Sequence, residues 1–489
     1  MSARRLIFGV ANNSCNFIKI SILGMHSSAN QSKSVILKTP KGMRDNSGYC
    51  ALTRQRIIDV LSECCKAHDA ELLDSPHLEL KEVLDSKYGE EQKLIYNLED
   101  FEGERLSLRY DLTVPFARYL ASNKIVNMRR FQYGKVFRRD NPKMNRGRLR
   151  EFFQFDFDIA GDYDRMVPDS ECLLLVVEAL EKLNINFIIK VNHRRLLEGI
   201  LYVCGVDQDK LKSVCSSIDK LDKRPWSEVR DELVRIKNIP ESVVDSIGKH
   251  ITMKGSIDQM DMLLNSDTTL IANSSILAGI EDLKTLSTFL RAFGIDQKVV
   301  FDLSLARGLD YYTGLIYEAV LTDYDLKDSK TGEDISIGSV AAGGRYDGLV
   351  SGFTTNPKEV VPCVGVSFGV ERLATIIERQ TEKDKYRPVE TEIYIASPQK
   401  GFIIERMKLT KHLINAGFKV GFCPKQKAKF LTQLQYCEAK HIPICVVISQ
   451  NEIDNEQVKV RMVQSREEAD VDNSDLIDFL TKALKKHST

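Results

Sequence analysis

The chain predicts an α+β core built on an antiparallel sheet, interrupted by a helical insertion and followed by a small α/β domain. Three observations carry that prediction. Residues 129–161 hold two stretches of alternating character, 131–137 and 152–159, joined by an arginine-rich loop with Asn, Pro and Gly, the pattern of a β-hairpin with a long connection. Residues 190–297 are helical in spacing, rich in Lys, Asp and Ser, and contain the single Trp, Trp226. From residue 392 short apolar runs alternate with helical spacing to the C-terminus, the pattern of an α/β unit of about 100 residues.

The elements come in this order. Residues 1–37 stand apart: residues 1–44 contain no Asp or Glu but carry Arg4, Arg5, Lys19, Lys33, Lys38, Lys41 and Arg44 among Ser, Asn and apolar residues. That is the pattern of a mitochondrial transit peptide, with an unstructured tail as the alternative. Met25 follows the apolar part, so a start there gives a product without it and predicts two compartments, cytoplasm and mitochondrial matrix. The core begins at residue 38. Residues 52–66 have helical spacing, and 71–80 read as a strand broken by Pro76, which belongs at a sheet edge or interface. A short strand runs into a helix over 105–120, the hairpin comes next, and 168–183 is a helix, closing a first core segment at 189. After the insertion, 298–380 returns to strands: 299–305, a strand to Leu321, a polar stretch over 322–335, then 336–342 as the second arm of a hairpin. Residues 364–369 form a buried strand running straight into a helix near Val370. Residues 379–391 are almost wholly polar and read as a linker into the domain 392–489.

Composition narrows the function. Lys plus Arg and Asp plus Glu are 69 each, so nucleic acid, if bound, is met by local basic patches and not by net charge. Eleven cysteines without CxxC spacing fit neither a disulfide framework nor a zinc site, and point to a reducing compartment. No metal-ligand spacing occurs among the eight histidines, so no protein-held metal site is expected. No apolar run reaches the length of a membrane span, and no membrane partner is expected. Neither a GxxxxGK[ST] loop nor a strand-linked GxGxxG is present, so a nucleotide, if bound, is held by arginines. Arg138, Arg148, Arg150, Arg307 and Arg372 stand in Gly/Phe/Tyr-rich, strand-forming contexts, and a guanidinium is a planar, permanently charged fork that suits phosphate.

Specific segments then resemble a known family. FRRD (137–140), the loop and REFFQFDFD (150–158) resemble the second signature of the class II aminoacyl-tRNA synthetases, and GVSFGVERL (365–373) resembles the third. The segment around Pro76 is similar to the first signature, which in that class lies at the dimer interface. LARGLDYYTG (305–314) and AAGGRYDGL (341–349) resemble segments of the histidyl-tRNA synthetase family. The likeness runs from about residue 38 to the C-terminus. It implies a catalytic core with a helical insertion and a C-terminal anticodon-binding domain, acting as a homodimer on ATP, L-histidine and tRNA(His), with Mg²⁺ on the pyrophosphate portion of ATP. By resemblance Arg138 and Arg307 hold the α-phosphate and the histidine carboxylate, with Arg307 stabilising the transition state. Phe152 stacks on adenine with Arg372 over the other face, and Arg148 reaches the outer phosphates. Asp140 stands where the family has Glu, and is about one methylene shorter toward the adenine amino group. Asp158 and Tyr312 meet the imidazole, Tyr311 walls the pocket, and Asp111, Thr113 and Gln154 hold the α-ammonium. Lys143, Arg146 and Arg148 form a basic patch that suits the acceptor end of tRNA, a solvated loop being the alternative. A non-catalytic relative is the rival reading, and such relatives lose the arginines that are present here.

Overall fold

The computed structural model describes residues 37–489 except 86, 99–102, 145–146, 309–310, 323–337, 355–359, 382–386, 428 and 488–489. The leader, Arg146, Leu309, Asp310 and nearly all of the polar stretch 322–335 therefore lie outside the described residues. Residues 1–40 form a unit apart, of which 37–40 are described and have no regular structure. The second unit, residues 41–489, holds the described strands and helices.

Eleven strands among the described residues build the core: β1 (Glu71–Leu72), β2 (Leu78–Leu80), β3 (Leu106–Leu108), β4 (Met128–Phe137), β5 (Glu151–Ala160), β6 (Phe187–His193), β7 (Lys254–Gly255), β8 (Val299–Asp302), β9 (Leu315–Leu321), β10 (Ala341–Arg345) and β11 (Cys363–Gly369). Nine of them form one sheet in the order β1-β4-β5-β11-β10-β9-β6-β8-β7, while β2 and β3 pair separately. The six central strands, β4 to β6 in that order, are antiparallel throughout. β1 is the edge strand beside Pro76, as the proline predicts.

The alternation in β5 fixes which face is which. Successive side chains leave a strand on opposite sides, so Phe153, Phe155, Phe157 and Ile159 enter one apolar core. The helices Tyr49–Ala67, Val167–Lys182 and Val370–Gln380 cover that face. Phe131 and Tyr133 of β4 stack on Phe155 at 5.9 Å each. Each fully buried ring there contributes about 1.5–3 kcal/mol. Along Tyr49–Ala67 the buried Ile57, Ile58, Leu61, Cys64 and Cys65 mark the helical stripe that meets it. On the opposite face a second apolar cluster, with Tyr88, Tyr110, Phe116, Leu120 and Tyr346, closes one end and leaves a polar trough beside it.

Three boundaries differ from the sequence reading. The expected start of the insertion at 190 falls inside β6, which runs to His193; the helices begin at Arg194 and continue to Phe293, with β7 between them. Asn192 extends the strand by donating to the carbonyls of Leu303 and Leu305 (3.0 and 2.8 Å), a tertiary contact invisible to periodicity. Gly343, Gly344 and Arg345, read as following a strand, lie within β10. In the C-terminal part β12 (Ile393–Ala396), β13 (Val420–Phe422) and β14 (Ile444–Val447) appear where expected. The hairpin β15 (Gln457–Met462) and β16 (Glu468–Asp472) was not read from the sequence, and it extends the sheet to the order β13-β12-β14-β15-β16. Its signal was present in QVKVRM, where Val458 and Val460 are buried and their neighbours are not.

Candidate active site

The strand register brings the polar residues of the trough into rows. Across one row run Gln132, Asp156, Ser367, Ala342, Glu318 and Lys190; across the next run Arg130, Asp158, Gly365, Gly344, Ile316 and Asn192. Gln154 stands between Gly134 and Gly369 in the row beyond Asp156. A Cβ at Gly365 would lie on the Asp158 carboxylate, so glycine is what lets that acid lie flat over the neighbouring strand.

Four of the five nominated arginines converge on this face. Burial first, then the charges of Arg307, Arg138 and Arg148, push the Arg372 guanidinium down to about 10. It remains protonated at neutral pH, so the cluster holds like charges in mutual repulsion, the condition an anion relieves. Arg307 Nη1 donates to Glu318 Oε2 (2.7 Å) and to Ser339 Oγ (2.8 Å). Burial works against its charge, but Glu318 and Asp219 outweigh that and raise its pKa. Arg372 Nη1 donates to the Ser339 carbonyl, so one serine anchors both guanidinium groups. Arg138 lies over the rings of Tyr110 (4.3 Å) and Phe152 (5.2 Å), donates from Nε to the Tyr110 carbonyl (3.0 Å), and donates from Nη2 to Gln154 Oε1 (3.3 Å). Gly147 of the hairpin loop, at φ +66°, packs on the backbone of Arg372 and so brings loop and helix together. Phe152 also borders a polar cavity of about 230 Å³ lined by Arg44, Arg54, Lys135, Glu151 and Glu371, outside the arginine cluster.

Asp158 is buried, with Oδ2 2.6 Å from Arg130 Nη2 and Oδ1 accepting from the Tyr346 hydroxyl. Burial raises its pKa against the pull of Arg130 and Tyr346. A carboxylate has about four acceptor positions, so these two partners leave capacity for a further donor. Half-buried Tyr312, whose pKa burial lifts to about 12, lies within electrostatic range of Asp158, Asp156 and Arg307, and its ring is 4.5 Å from that of Tyr311. Gly308 has φ +63°, and a Cβ there would meet the Tyr312 ring.

Two nominated residues have partners that the sequence did not suggest. Asp111 Oδ1 accepts from the Tyr88 hydroxyl (2.7 Å) and from the backbone N–H groups of Thr113 and Val114 (3.1 Å each). It thus satisfies the first turn of the helix Thr113–Asn123, whose free N–H groups need an acceptor. Asp140 Oδ2 accepts from both Arg148 Nε and Nη2 (3.0 and 2.6 Å), so these two form an ion pair at the loop through one carboxylate oxygen. Arg150, nominated among the arginines, donates to the Asp140 carbonyl (3.0 Å) and acts as a loop brace. Reasoning from the sequence missed Arg130, Asp156, Glu318, Ser339 and Tyr346. Asp156 was legible, since period two puts it on the same face as Gln154 and Asp158; Arg130 comes from the neighbouring β4, Glu318 from β9, and Ser339 and Tyr346 from the two ends of β10, and their meeting depends on strand pairing.

Among the described residues no group of three or more His, Cys, Asp or Glu side chains is arranged to hold a metal ion. The chain does hold a cluster of arginines on the same sheet as the buried Gln154, Asp156 and Asp158. A family model described as histidyl-tRNA synthetase matches residues 42–373, and one described as anticodon binding domain matches 392–483. The chain belongs to the histidyl-tRNA synthetase family. Among the relatives of this synthetase is a histidine–tRNA ligase of Danio rerio, 50% identical over 458 residues, covering 91% of this chain and 89% of the relative. A mitochondrial histidine–tRNA ligase of Homo sapiens is 47% identical over 471 residues, covering 95% and 92%. A crystal structure of histidyl-tRNA synthetase from Nostoc matches with TM-score 0.78 at 27% identity, covering 92% of this chain and 99% of that one. As a class II synthetase fold, the antiparallel core and C-terminal α/β unit agree with the architecture read from the sequence.

Proposed function

We propose that the polar face of β4, β5, β9, β10 and β11 is the surface on which this chain activates histidine. As a histidyl-tRNA synthetase, it charges tRNA(His) with histidine for translation in an ATP-using reaction. The convergence of Arg138, Arg148, Arg307 and Arg372 beside Asp158 and Gln154 is the observation that carries the assignment. In the first step the histidine carboxylate attacks the α-phosphate of ATP and pyrophosphate leaves. The nucleophile is already an anion, so no protein base is needed, and catalysis rests on positioning and on stabilising charge at the phosphate oxygens. Arg138 and Arg307 hold the α-phosphate and carboxylate. Phe152 and Arg372 sandwich adenine, with Asp140 beside it. Arg148 meets the outer phosphates on release from Asp140. Asp158 and Tyr312 receive the imidazole, Tyr311 walls the pocket, and Asp111, Thr113 and Gln154 hold the α-ammonium. Buried acceptors built for an imidazole N–H reject analogues that lack it. In the second step a hydroxyl of the terminal adenosine at the tRNA 3′ end attacks the carbonyl of the adenylate, the acyl–phosphate bond breaks, and AMP leaves as the ester forms.

Mg²⁺ in this scheme would enter with ATP and offset charge on its outer phosphates; among the described residues no group of three or more His, Cys, Asp or Glu side chains is arranged to hold it. The boundaries 38–189, 190–297, 298–380 and 392–489 describe catalytic core, insertion, returning core and anticodon-binding domain, with the first adjusted to His193. A homodimer is supported by the edge strand at Pro76 and by Leu72, Leu78 and Leu80 nearby, which are 57, 42 and 43% exposed. Relatives named as cytoplasmic and as mitochondrial both occur, which favours dual localisation through initiation at Met1 and Met25. A tagged full-length product that never enters mitochondria would remove that part. The central test is pyrophosphate exchange into ATP by residues 25–489 with each of the twenty amino acids. Exchange with histidine alone is expected; exchange with another amino acid would sink the roles of Asp158 and Tyr312.

A further inference from the structure

Gln154 sits between two partners of opposite character. Its Nε2 donates to both oxygens of Asp156 (3.0 and 3.1 Å), and its Oε1 accepts from Arg138 Nη2 (3.3 Å). A primary amide has donors on nitrogen and acceptors on oxygen, and the network around it selects between its two orientations. Turned over, the amide would set its oxygen against the Asp156 carboxylate and its NH₂ against the Arg138 guanidinium, two like-with-like contacts. Asp156 therefore locks the carbonyl oxygen toward Arg138 and the trough. That oxygen has two lone pairs, and Arg138 uses one. An α-ammonium group only donates, so only this orientation can receive it.

We propose that Asp156 is a positioning residue for the amino-acid substrate: its carboxylate fixes the Gln154 amide so that the carbonyl oxygen is presented to the α-ammonium. The inference rests on the reading that Gln154 holds that group. Apolar packing does not explain an acid at this position. Asp156 is 1% exposed, two residues along β5 from Asp158, and its Oδ2 lies 3.8 Å from the Arg130 Nη2 that already pairs with Asp158. Burial and the second carboxylate both work against its charge, with Arg130 and hydrogen bonds from Ser367 and Gln154 opposing them. A buried carboxylate held at such a cost beside another, with both its oxygens turned to one amide, is an orienting device.

The test is pyrophosphate exchange with KM for histidine, KM for ATP and kcat measured separately. The variants are Asp156→Asn, Asp156→Ala, Gln154→Ala and the Asp156→Ala/Gln154→Ala double. Asp156→Ala is expected to raise KM for histidine about ten- to a hundredfold, the worth of one hydrogen bond to a charged group, with KM for ATP unchanged. Asp156→Asn is nearly isosteric, preserves the fold and keeps one acceptor oxygen, so its rise is smaller. The double variant is expected to be no worse than Gln154→Ala, because Asp156 acts through that amide. An unchanged KM for histidine in folded Asp156→Asn and Asp156→Ala overturns the proposal, as do equal effects on histidine and ATP or additivity in the double. A normal KM for histidine in Gln154→Ala is a different failure, overturning the placement of the ammonium group itself.

Discussion

Replacing Arg307 by Ala separates the chemical from the structural work of one guanidinium. Both hydrogens of Nη1 are engaged, by Glu318 Oε2 at 2.7 Å and Ser339 Oγ at 2.8 Å. That leaves the Nη2 donors as the edge that the proposed role would turn to substrate, in a fork fixed beforehand. Losing one preorganised charge at a developing oxyanion typically costs on the order of 10²–10³ in rate, about 2.7–4 kcal/mol. Arg307→Ala should therefore lower single-turnover adenylate formation by that factor. The fold should survive at a modest cost. The Arg307 side chain is 44% exposed but Glu318 only 7%, so removing the arginine leaves a buried acid unpaired and costs about 1–3 kcal/mol. Adding Glu318→Gln should restore that stability, because it removes the buried acid left unpaired, without restoring the rate. Arg307→Lys keeps the charge but not the fork; one ammonium cannot hold Glu318 and Ser339 and still aim a second pair of donors, so its rate should lie between wild type and Ala. Rapid-quench measurement with histidine and labelled ATP reads these rates. Adenylate formation within about twofold of wild type in Arg307→Ala, far from the loss expected of a transition-state contact, would refute the reasoning.

Other outcomes rest on the same geometry. Arg372→Met should leave the ligand-free melting temperature unchanged or slightly higher, since it removes a charge repelled by Arg307, Arg138 and Arg148, while abolishing most of the thermal shift on adding ATP; a lower melting temperature would mean the arginine is chiefly a brace. Phe152→Ala should raise KM for ATP about tenfold, the scale of one base–aromatic stack, with KM for histidine unmoved. Glu171, against the opposing effect of burial and with help from Glu178, raises the pKa of His68 above its ordinary 6.5. A raised folded-state pKa means this stabilisation is complete below about pH 6.5 and is lost as pH climbs through the folded value. Urea unfolding midpoints should thus fall as pH rises above about 6.5, and His68→Gln should flatten that decline; an equal slope in the variant would place the titration elsewhere.

Much of this protein is legible in its amino-acid order alone. Period-two alternation in 131–137 and 152–159 marks the central hairpin and puts Phe152, Gln154 and Asp158 on one face, because side chains leave a strand on alternate sides. Segments 137–140, 150–158, 305–314 and 365–373 carry the resemblance to the family, and each holds an arginine, a planar and permanently charged fork of the kind that suits phosphate. Which side chains meet is a matter for the folded chain. Arg307 finds Glu318 by strand order, and Ser339 joins Arg307 to Arg372 just ahead of β10. The pairing of Asp140 with Arg148 depends on the path of a loop, and the enclosure of Asp158 by Arg130 and Tyr346 joins residues up to 188 positions apart. Local pattern reports the face on which a side chain leaves its strand. Its partners are set by long-range packing, where the cost of burying a charge selects the few arrangements that satisfy it.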